Sequence, residues 1–179
     1  MAVTLDIPLQ VYRELRQHLL PDNSRLEQGG FLFARCSTDS ERNSDFHFIA
    51  WLPLQRVDYA AQYQDYLELS DAARARVIKR AHDLGASLVE FHSHRGSYPA
   101  AFSPSDMQGF EEFVPHVHWR LKGRPYAAVV VAPSGFDGLA WTGSPNAPVQ
   151  LDRIDTGGKE LHATALTLKR RRRSADAAI

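Results

Sequence analysis

Apolar positions follow a helical spacing at the start of the chain and form short continuous runs soon afterwards. From residue 9 to residue 20 they recur every three or four positions, which predicts an amphipathic helix. Residues 31–36 and 46–52 are two short apolar runs on either side of a polar turn. Such runs are typical of buried strands, so we expect these two to pair as a hairpin.

Cap residues mark a second helix. Ser70 precedes a helical pattern that runs from Ala72 to Leu84, and Gly85 follows it. Serine is a favoured N-cap residue and glycine a favoured residue just after a helix, so both ends of this helix are predicted. Residues 87–92 come next and predict a strand, which we place near the centre of the sheet.

The second half of the chain predicts one more helix and one more pair of strands. Ser103 and Pro104 precede a helical pattern whose apolar positions are Met107, Phe110 and Val114. The β-branched run 126–132 predicts a strand, and 139–141 its partner across a turn at 133–138.

Mixed helices and strands predict an α/β or α+β fold built on one sheet. We assign residues 1–145 to a single domain and residues 146–179 to a C-terminal extension with a basic tail. Residues 53–69 predict a loop with a short helix, and the chain after Gly143 is expected to be irregular before a terminal helix.

Charge is balanced over the whole chain but not along it. The 21 basic residues match the 21 acidic ones, yet five cations form one run at 169–173. The remainder is therefore acidic, and the basic run has two interpretations. It is either a solvated, frayed end of the chain or a contact for an acidic partner such as nucleic acid.

Composition excludes several classes of protein. Hydrophobic residues make up 44% of the 179 residues, too many for a disordered chain. No apolar stretch reaches the roughly 18 residues of a membrane span. The charged residues among the first twenty argue against a signal peptide, and Cys36 is the only cysteine. We therefore expect a cytoplasmic protein without disulfides.

Candidate chemistry is concentrated between residues 92 and 106. Residues i and i+2 of a strand project to the same face, so His92 and His94 can direct both imidazoles to one point. Asp106, at the start of the next helix, is the natural third ligand. Two imidazoles and one carboxylate leave a position open on a tetrahedral zinc ion. A plain helix N-cap also explains Ser103 and Asp106 without a metal.

Taken together, these motifs resemble the JAMM (MPN-domain) zinc metalloprotease family, in particular its small prokaryotic JAB branch. The resemblance covers about residues 5–142. It rests on an acidic residue before a glycine-led apolar strand (Glu27, then 29–33), on His-Ser-His at 92–94 and on Ser-x-x-Asp at 103–106. It implies an α/β fold, a mixed sheet flanked by helices, as an MPN/JAB domain with a cytidine-deaminase-like arrangement.

The resemblance also implies a role for each matched position. His92, His94 and Asp106 would bind one zinc ion per chain. Glu27 would act as general base and then as general acid, and Ser103 would stabilise the oxyanion. Two departures are eight rather than seven residues between His94 and Ser103, and Arg95 where many members have proline. Both concern the loop more than the ligands.

The implied activity is hydrolysis of a peptide or isopeptide bond after the C-terminus of a ubiquitin-like protein. The substrate tail would bind as an added strand beside the metal, and E1-like and E2-like proteins would be pathway partners. Two alternatives remain. One is a non-catalytic MPN scaffold that mediates dimerisation. The other is a protein like the RadC branch that acts on nucleic acid, although no basic stripe outside the tail supports that alternative.

Four further features have competing interpretations. His116 and His118 repeat the strand spacing without a third ligand or base, so we expect a polar edge near Trp119 rather than a metal site. Cys36 is interpreted as a small packed hydrophobe. Glu90 is either a partner that orients an imidazole or part of a structural ion pair. The tyrosines of the 54–69 segment either contact the substrate or pack.

Overall fold

A computed structural model describes residues 2–96 and 98–176. Its strands are β1 (Val3–Asp6), β2 (Gly29–Thr38), β3 (Ser44–Pro53), β4 (Tyr59–Gln62), β5 (Leu67–Leu69), β6 (Ser87–Ser93), β7 (Tyr126–Ala132), β8 (Gly135–Trp141), β9 (Val149–Gln150), β10 (Arg153–Asp155) and β11 (Glu160–His162). The α-helices of the described chain are α1 (Leu9–Leu19), α2 (Asp71–Leu84), α3 (Pro104–Arg120) and α4 (Leu166–Asp176).

Nine of these strands form one mixed sheet in the order β11-β10-β1-β3-β2-β6-β7-β8-β9. β2 pairs antiparallel with both β3 and β6, whereas β6 and β7 run parallel. The predicted hairpin and the central position of residues 87–92 are therefore confirmed. So is the general prediction of a mixed sheet accompanied by helices.

Hydrophobic cores cover both faces of the sheet. Alternate residues of β2 face opposite sides, so that Phe31 and Phe33 pack with α2 and α3 while Leu32 packs with α1. Val77 of α2 and Val114 of α3 are fully buried on the first face. Burial of each large aliphatic side chain contributes about 1.5–3 kcal/mol, which holds the helices on the sheet.

Three local predictions were wrong. Residues 53–69 do contain a short helix, of the 3₁₀ type (Arg56–Asp58), but the rest forms the two-stranded sheet of β4 and β5 rather than a loop. β8 begins at Gly135, so the turn before it consists of Pro133 and Ser134 alone. Residues 116–118 belong to α3, where the i, i+2 spacing does not place two histidines on one face.

The chain after Gly143 is also more regular than predicted. β9 extends the sheet beyond β8 at one edge, while β10 pairs parallel with β1 near the other edge. The expected terminal helix is present as α4, which contains the basic run 169–173. The last strands and α4 therefore complete the main sheet and its helical cover.

None of the helices in the described ranges is long and apolar enough to cross a membrane.

Candidate metal centre

Three predicted ligands converge where β6 ends and α3 begins. His92, His94 and Asp106 each offer one ligand atom, and these atoms lie within 4.8 Å of one another. The Nε2 atoms of His92 and His94 lie 3.6 and 3.3 Å from Oδ2 of Asp106. The group can therefore hold a metal ion.

The end of β6 places the two imidazoles. His92 is the last but one residue of the strand, and the backbone N–H of His94 still donates to the carbonyl of Val131 on β7 at 2.9 Å. The backbone thus stays extended through the His-x-His motif, and the two ring centroids lie 5.0 Å apart. This confirms that the spacing brings both side chains to the same side.

The first turn of α3 orients the carboxylate. The Ser103 hydroxyl accepts a hydrogen bond from the Asp106 N–H at 3.1 Å, and Oδ2 of Asp106 accepts one from the Ser103 N–H at 2.7 Å. This is a capping box. The helix-cap interpretation and the ligand interpretation of Ser-x-x-Asp therefore hold together, because the same oxygen serves both.

The two separations between Asp106 and the imidazoles suit a tetrahedral metal. Two ligands at about 2.0–2.1 Å from a zinc ion, separated by the tetrahedral angle, lie about 3.3 Å apart. The Asp106 distances of 3.3 and 3.6 Å match that separation. Moreover, Nε2 of His92 is buried and has no hydrogen-bond partner within the described ranges. A buried nitrogen of this kind requires a partner, and a metal ion supplies one.

Glu27 stands beside this cluster because of the strand register. Gly29 pairs with His92, and the backbone N–H of Ser93 donates to the carbonyl of Gln28, so Glu27 falls opposite His94. Oε1 of Glu27 lies 3.6 Å from Nε2 of His94. All five residues predicted from the sequence are therefore brought together.

The β4–β5 sheet braces Glu27, a contact that sequence reasoning missed. The side chain of Gln62 donates to the Glu27 carbonyl at 2.7 Å, and the Glu27 N–H donates to the Tyr63 carbonyl at 2.8 Å. The hydroxyl of Tyr59 accepts from the Gly29 N–H at 2.9 Å and donates to the Gly29 carbonyl at 3.4 Å. Only the richness of this segment in polar and aromatic residues hinted at such a role.

Burial and charge shift the acid–base properties of the site. Burial raises the pKa of Glu27 to about 7, although His92 and His94 oppose that shift. Burial lowers the pKa of His92, but Asp106 and the other carboxylates outweigh it and raise this pKa to about 9. Burial raises the pKa of Asp106, yet the two imidazoles and the Ser103 N–H hold it well below its usual range.

Glu90 lies beside His92 and lines the groove over the site. Its Oε1 is 3.9 Å from Nδ1 of His92, and its Oε2 accepts a hydrogen bond from the hydroxyl of Tyr126. Burial raises the pKa of Glu90 above its usual value, and the opposing influence of His92 and the Tyr126 hydroxyl does not cancel this shift. The carboxylate thus faces the imidazole, as the shared strand face predicts, and Tyr126 holds it there.

An open groove of about 330 Å³ runs over the site. The strand β5 lines one side of this groove with Leu67, Glu68 and Leu69. The helix α3 also lines the groove, with residues that include Ser105, Gln108, Gly109 and Glu112. Glu27, His92 and Asp106 line it too. Most of the charged lining residues are acidic, so the groove favours a cationic or neutral occupant.

Other candidates lie away from this site. His116 is exposed on α3, and His118 lies near Gly123 at its end. Cys36 is partly buried on β2, and burial raises the pKa of its thiol to about 11. Arg95 follows the His-Ser-His motif, and its guanidinium donates to the carbonyl of Pro21 at 2.6 Å. This hydrogen bond joins the loop after the motif to the segment before Glu27.

Neither a protein-family profile nor a curated protein sequence matches this chain.

Proposed function

We propose that the protein is a zinc-dependent peptidase of the JAMM (MPN-domain) type. It would cleave the peptide or isopeptide bond after the C-terminus of a ubiquitin-like protein. The observation that carries the proposal is the convergence of His92, His94 and Asp106 with the buried carboxylate of Glu27 3.6 Å from His94. Metal ligands alone are compatible with storage or structure, but an adjacent base of raised pKa suits hydrolysis.

His92, His94 and Asp106 would hold the zinc ion and leave one position open. A zinc ion there supplies Lewis acidity, which lowers the pKa of a coordinated water to about 7. Glu27 accepts a proton from the attacking water as the oxygen bonds to the substrate carbonyl carbon. It then delivers that proton to the leaving amine as the C–N bond breaks.

Ser103 would stabilise the oxyanion. Its oxygen accepts from the Asp106 N–H, so its hydroxyl hydrogen remains free to donate. A donor directed at the carbonyl oxygen becomes more favourable as negative charge develops there. Ser103 thus combines the helix cap with a catalytic hydrogen bond.

The groove suits an extended peptide. Within the described ranges β5 pairs only with β4, and β5 lines the groove over the metal ligands. A substrate tail can therefore add to β5 as a further strand, with main-chain hydrogen bonds providing affinity. Ubiquitin-like proteins have extended C-terminal tails of this kind. We place the reaction in the cytoplasm, with E1-like and E2-like proteins as pathway partners.

A cleavage assay tests this function. Ubiquitin and bacterial ubiquitin-like proteins carrying a fluorogenic amide at the C-terminus are incubated with zinc-loaded protein. Release of the fluorophore by the wild type, with at least 100-fold less release by Glu27→Gln, is the expected result. Zinc binding without cleavage of any of these substrates would instead favour the non-catalytic MPN scaffold.

A further inference from the structure

A buried carboxylate on β8 holds the start of α4 against the sheet. Asp137 on β8 is fully buried. Its Oδ1 accepts from the N–H groups of Gly138 and Ala165 and from the Gln150 side chain, at 3.0, 3.1 and 3.1 Å. Its Oδ2 accepts from both the N–H and the hydroxyl of Thr167, at 2.9 and 2.7 Å. The carboxylate thus fixes the first turn of α4 to the sheet.

Thr167 passes this restraint to the active-site loop. Its hydroxyl hydrogen is committed to Asp137, so its oxygen is free to accept, and it does so from the Phe102 N–H at 2.9 Å. Thr164 adds a second tie, since its hydroxyl donates to the Ala100 carbonyl at 2.6 Å. Both ends of the 100–102 segment are therefore held from the C-terminal part of the chain.

Phe102 touches the metal site on two sides. Its ring centroid lies 5.6 Å from that of His92 and 5.2 Å from that of Phe110 on α3. The next residue, Ser103, caps α3 and binds Oδ2 of Asp106. A shift of the Phe102 backbone would thus move the ring that packs against His92. It would also move Ser103, the cap residue that orients Asp106.

We infer that Thr167 and Asp137 are positioning residues for the metal centre, acting through the backbone of Phe102. The inference rests on the metal assignment in the proposed function, and Thr167 lies outside residues 5–142, the part of the chain that resembles the JAMM family. The first turn of α4 belongs to the metal site as a supporting layer, although none of its residues is a ligand. Such outer contacts orient ligands and set metal affinity.

Thr167→Val tests the inference, because valine keeps the shape of threonine and removes its hydroxyl. The matched control is Thr156→Val. Thr156 is 5% exposed against 3% for Thr167, and its hydroxyl also makes a hydrogen bond, a partly buried one to the Lys159 carbonyl at 3.0 Å. Zinc affinity is measured by competition with a chelator, and the ligand geometry by the visible spectrum of the cobalt(II)-substituted protein.

We expect Thr167→Val to weaken zinc binding by about 10-fold or more and to change the cobalt spectrum. Thr167→Ser, which keeps the hydroxyl, should restore both. Hydrogen exchange of the Phe102 amide should accelerate in the valine variant alone. Thr156→Val should lower thermal stability while its zinc affinity stays within twofold of the wild type.

A zinc affinity and a cobalt spectrum unchanged in Thr167→Val would overturn the inference. If that variant does not fold, Thr167→Ala, which also removes the hydroxyl, replaces it, and unchanged zinc affinity there has the same consequence. The readouts do not involve cleavage. A wild type that binds zinc and cleaves nothing would thus defeat the proposed peptidase while leaving the positioning role intact.

Discussion

Asp106 performs two tasks with one carboxylate oxygen. Oδ2 accepts the Ser103 N–H at 2.7 Å and also faces the Nε2 atoms of both histidines. The backbone hydrogen bond stabilises the anionic form and prevents rotation of the side chain, so the ligand is preorganised before any metal binds. Glu27, in contrast, is deeply buried and retains affinity for a proton. In the proposed mechanism these two environments would separate a metal ligand, Asp106, from a base, Glu27.

Glu27→Gln should retain zinc and lose cleavage. The amide keeps the size of the side chain but cannot accept the proton of the attacking water, so we expect kcat to fall at least about 100-fold. Zinc content by atomic absorption and the fluorogenic assay measure the two properties. Glu111→Gln, an exposed substitution on α3, is the control. Full activity of the Glu27 variant would remove Glu27 from the mechanism.

His92→Ala combined with His94→Ala should abolish stoichiometric zinc binding. Asp106 alone cannot hold the ion, because zinc sites in proteins require at least three protein ligands. His116→Ala provides the comparison, since that histidine is exposed on α3 away from the cluster. Metal analysis after dialysis should find one zinc per chain in the control. Equal zinc in the double variant would refute the ligand assignment.

At the scale of elements, two helices begin with the same device. Ser70 caps α2 and Ser103 caps α3, and each hydroxyl accepts from the N–H three residues later, at 3.2 and 3.1 Å. Only the second cap also contacts a metal ligand. The two serines therefore allow the structural role of a cap to be separated from its role in the site.

Ser103→Ala and Ser70→Ala should each destabilise the protein by about 1 kcal/mol, the usual cost of losing an N-cap. Only Ser103→Ala should also reduce kcat, by about 10-fold or more, because it removes the oxyanion donor as well. Chemical denaturation and the cleavage assay give the two quantities. Equal kcat in the two variants would argue against a catalytic role of Ser103.

Packing of β2 against β3 depends on a glycine. A Cβ on Gly30 would overlap the ring of Trp51, which is itself held edge-on by Phe91 and His18. Gly30→Ala should therefore destabilise the fold by about 1–3 kcal/mol through overpacking.

Gly109 on α3 provides the comparison, because a Cβ added there meets open space. Gly109→Ala should stabilise the protein by about 0.4–1 kcal/mol. Chemical denaturation would measure the change in stability of both variants, as a shift of the midpoint at an unchanged slope of unfolding free energy against denaturant concentration. Loss of stability in the Gly109 variant alone would contradict this account.

At the scale of the molecule, the C-terminal segment returns to both edges of the sheet and then to the site. β9 pairs with β8, β10 pairs with β1, and Thr167 binds Phe102. The contacts of α4 that matter for the site are made by its first turn. The basic run at 169–173 lies beyond them and is exposed where its side chains are described.

Removal of residues 169–179 should therefore leave turnover within about twofold of the wild type, since Thr167 and Leu168 remain. Removal of residues 164–179 should weaken zinc binding by about 10-fold or more, because Thr164 and Thr167 are lost. Chelator competition and the cleavage assay compare the two truncations. A large loss of turnover in the shorter truncation would assign a functional role to the basic run.

Much of this organisation was predictable from local pattern. Periodicity and cap residues correctly predicted α1, α2 and α3 and the strands around His92, since a helix or a long strand repeats its signal over several residues. The ligands were predictable for the same reason. His92 and His94 share a strand, and Ser103 and Asp106 share one helical turn, so each pair is arranged by local geometry.

What lay beyond local pattern depended on tertiary structure. The strands β9, β10 and β11 are only two or three residues long, too short to show a period, and form because neighbouring strands offer free backbone groups. The brace from Gln62 to Glu27 and the ties from Asp137 through Thr167 to Phe102 join residues at least 30 positions apart. The sequence by itself determined which side chains could bind a metal. Only the folded chain decided what holds them in place, because hydrogen bonds between distant segments leave no periodic signal.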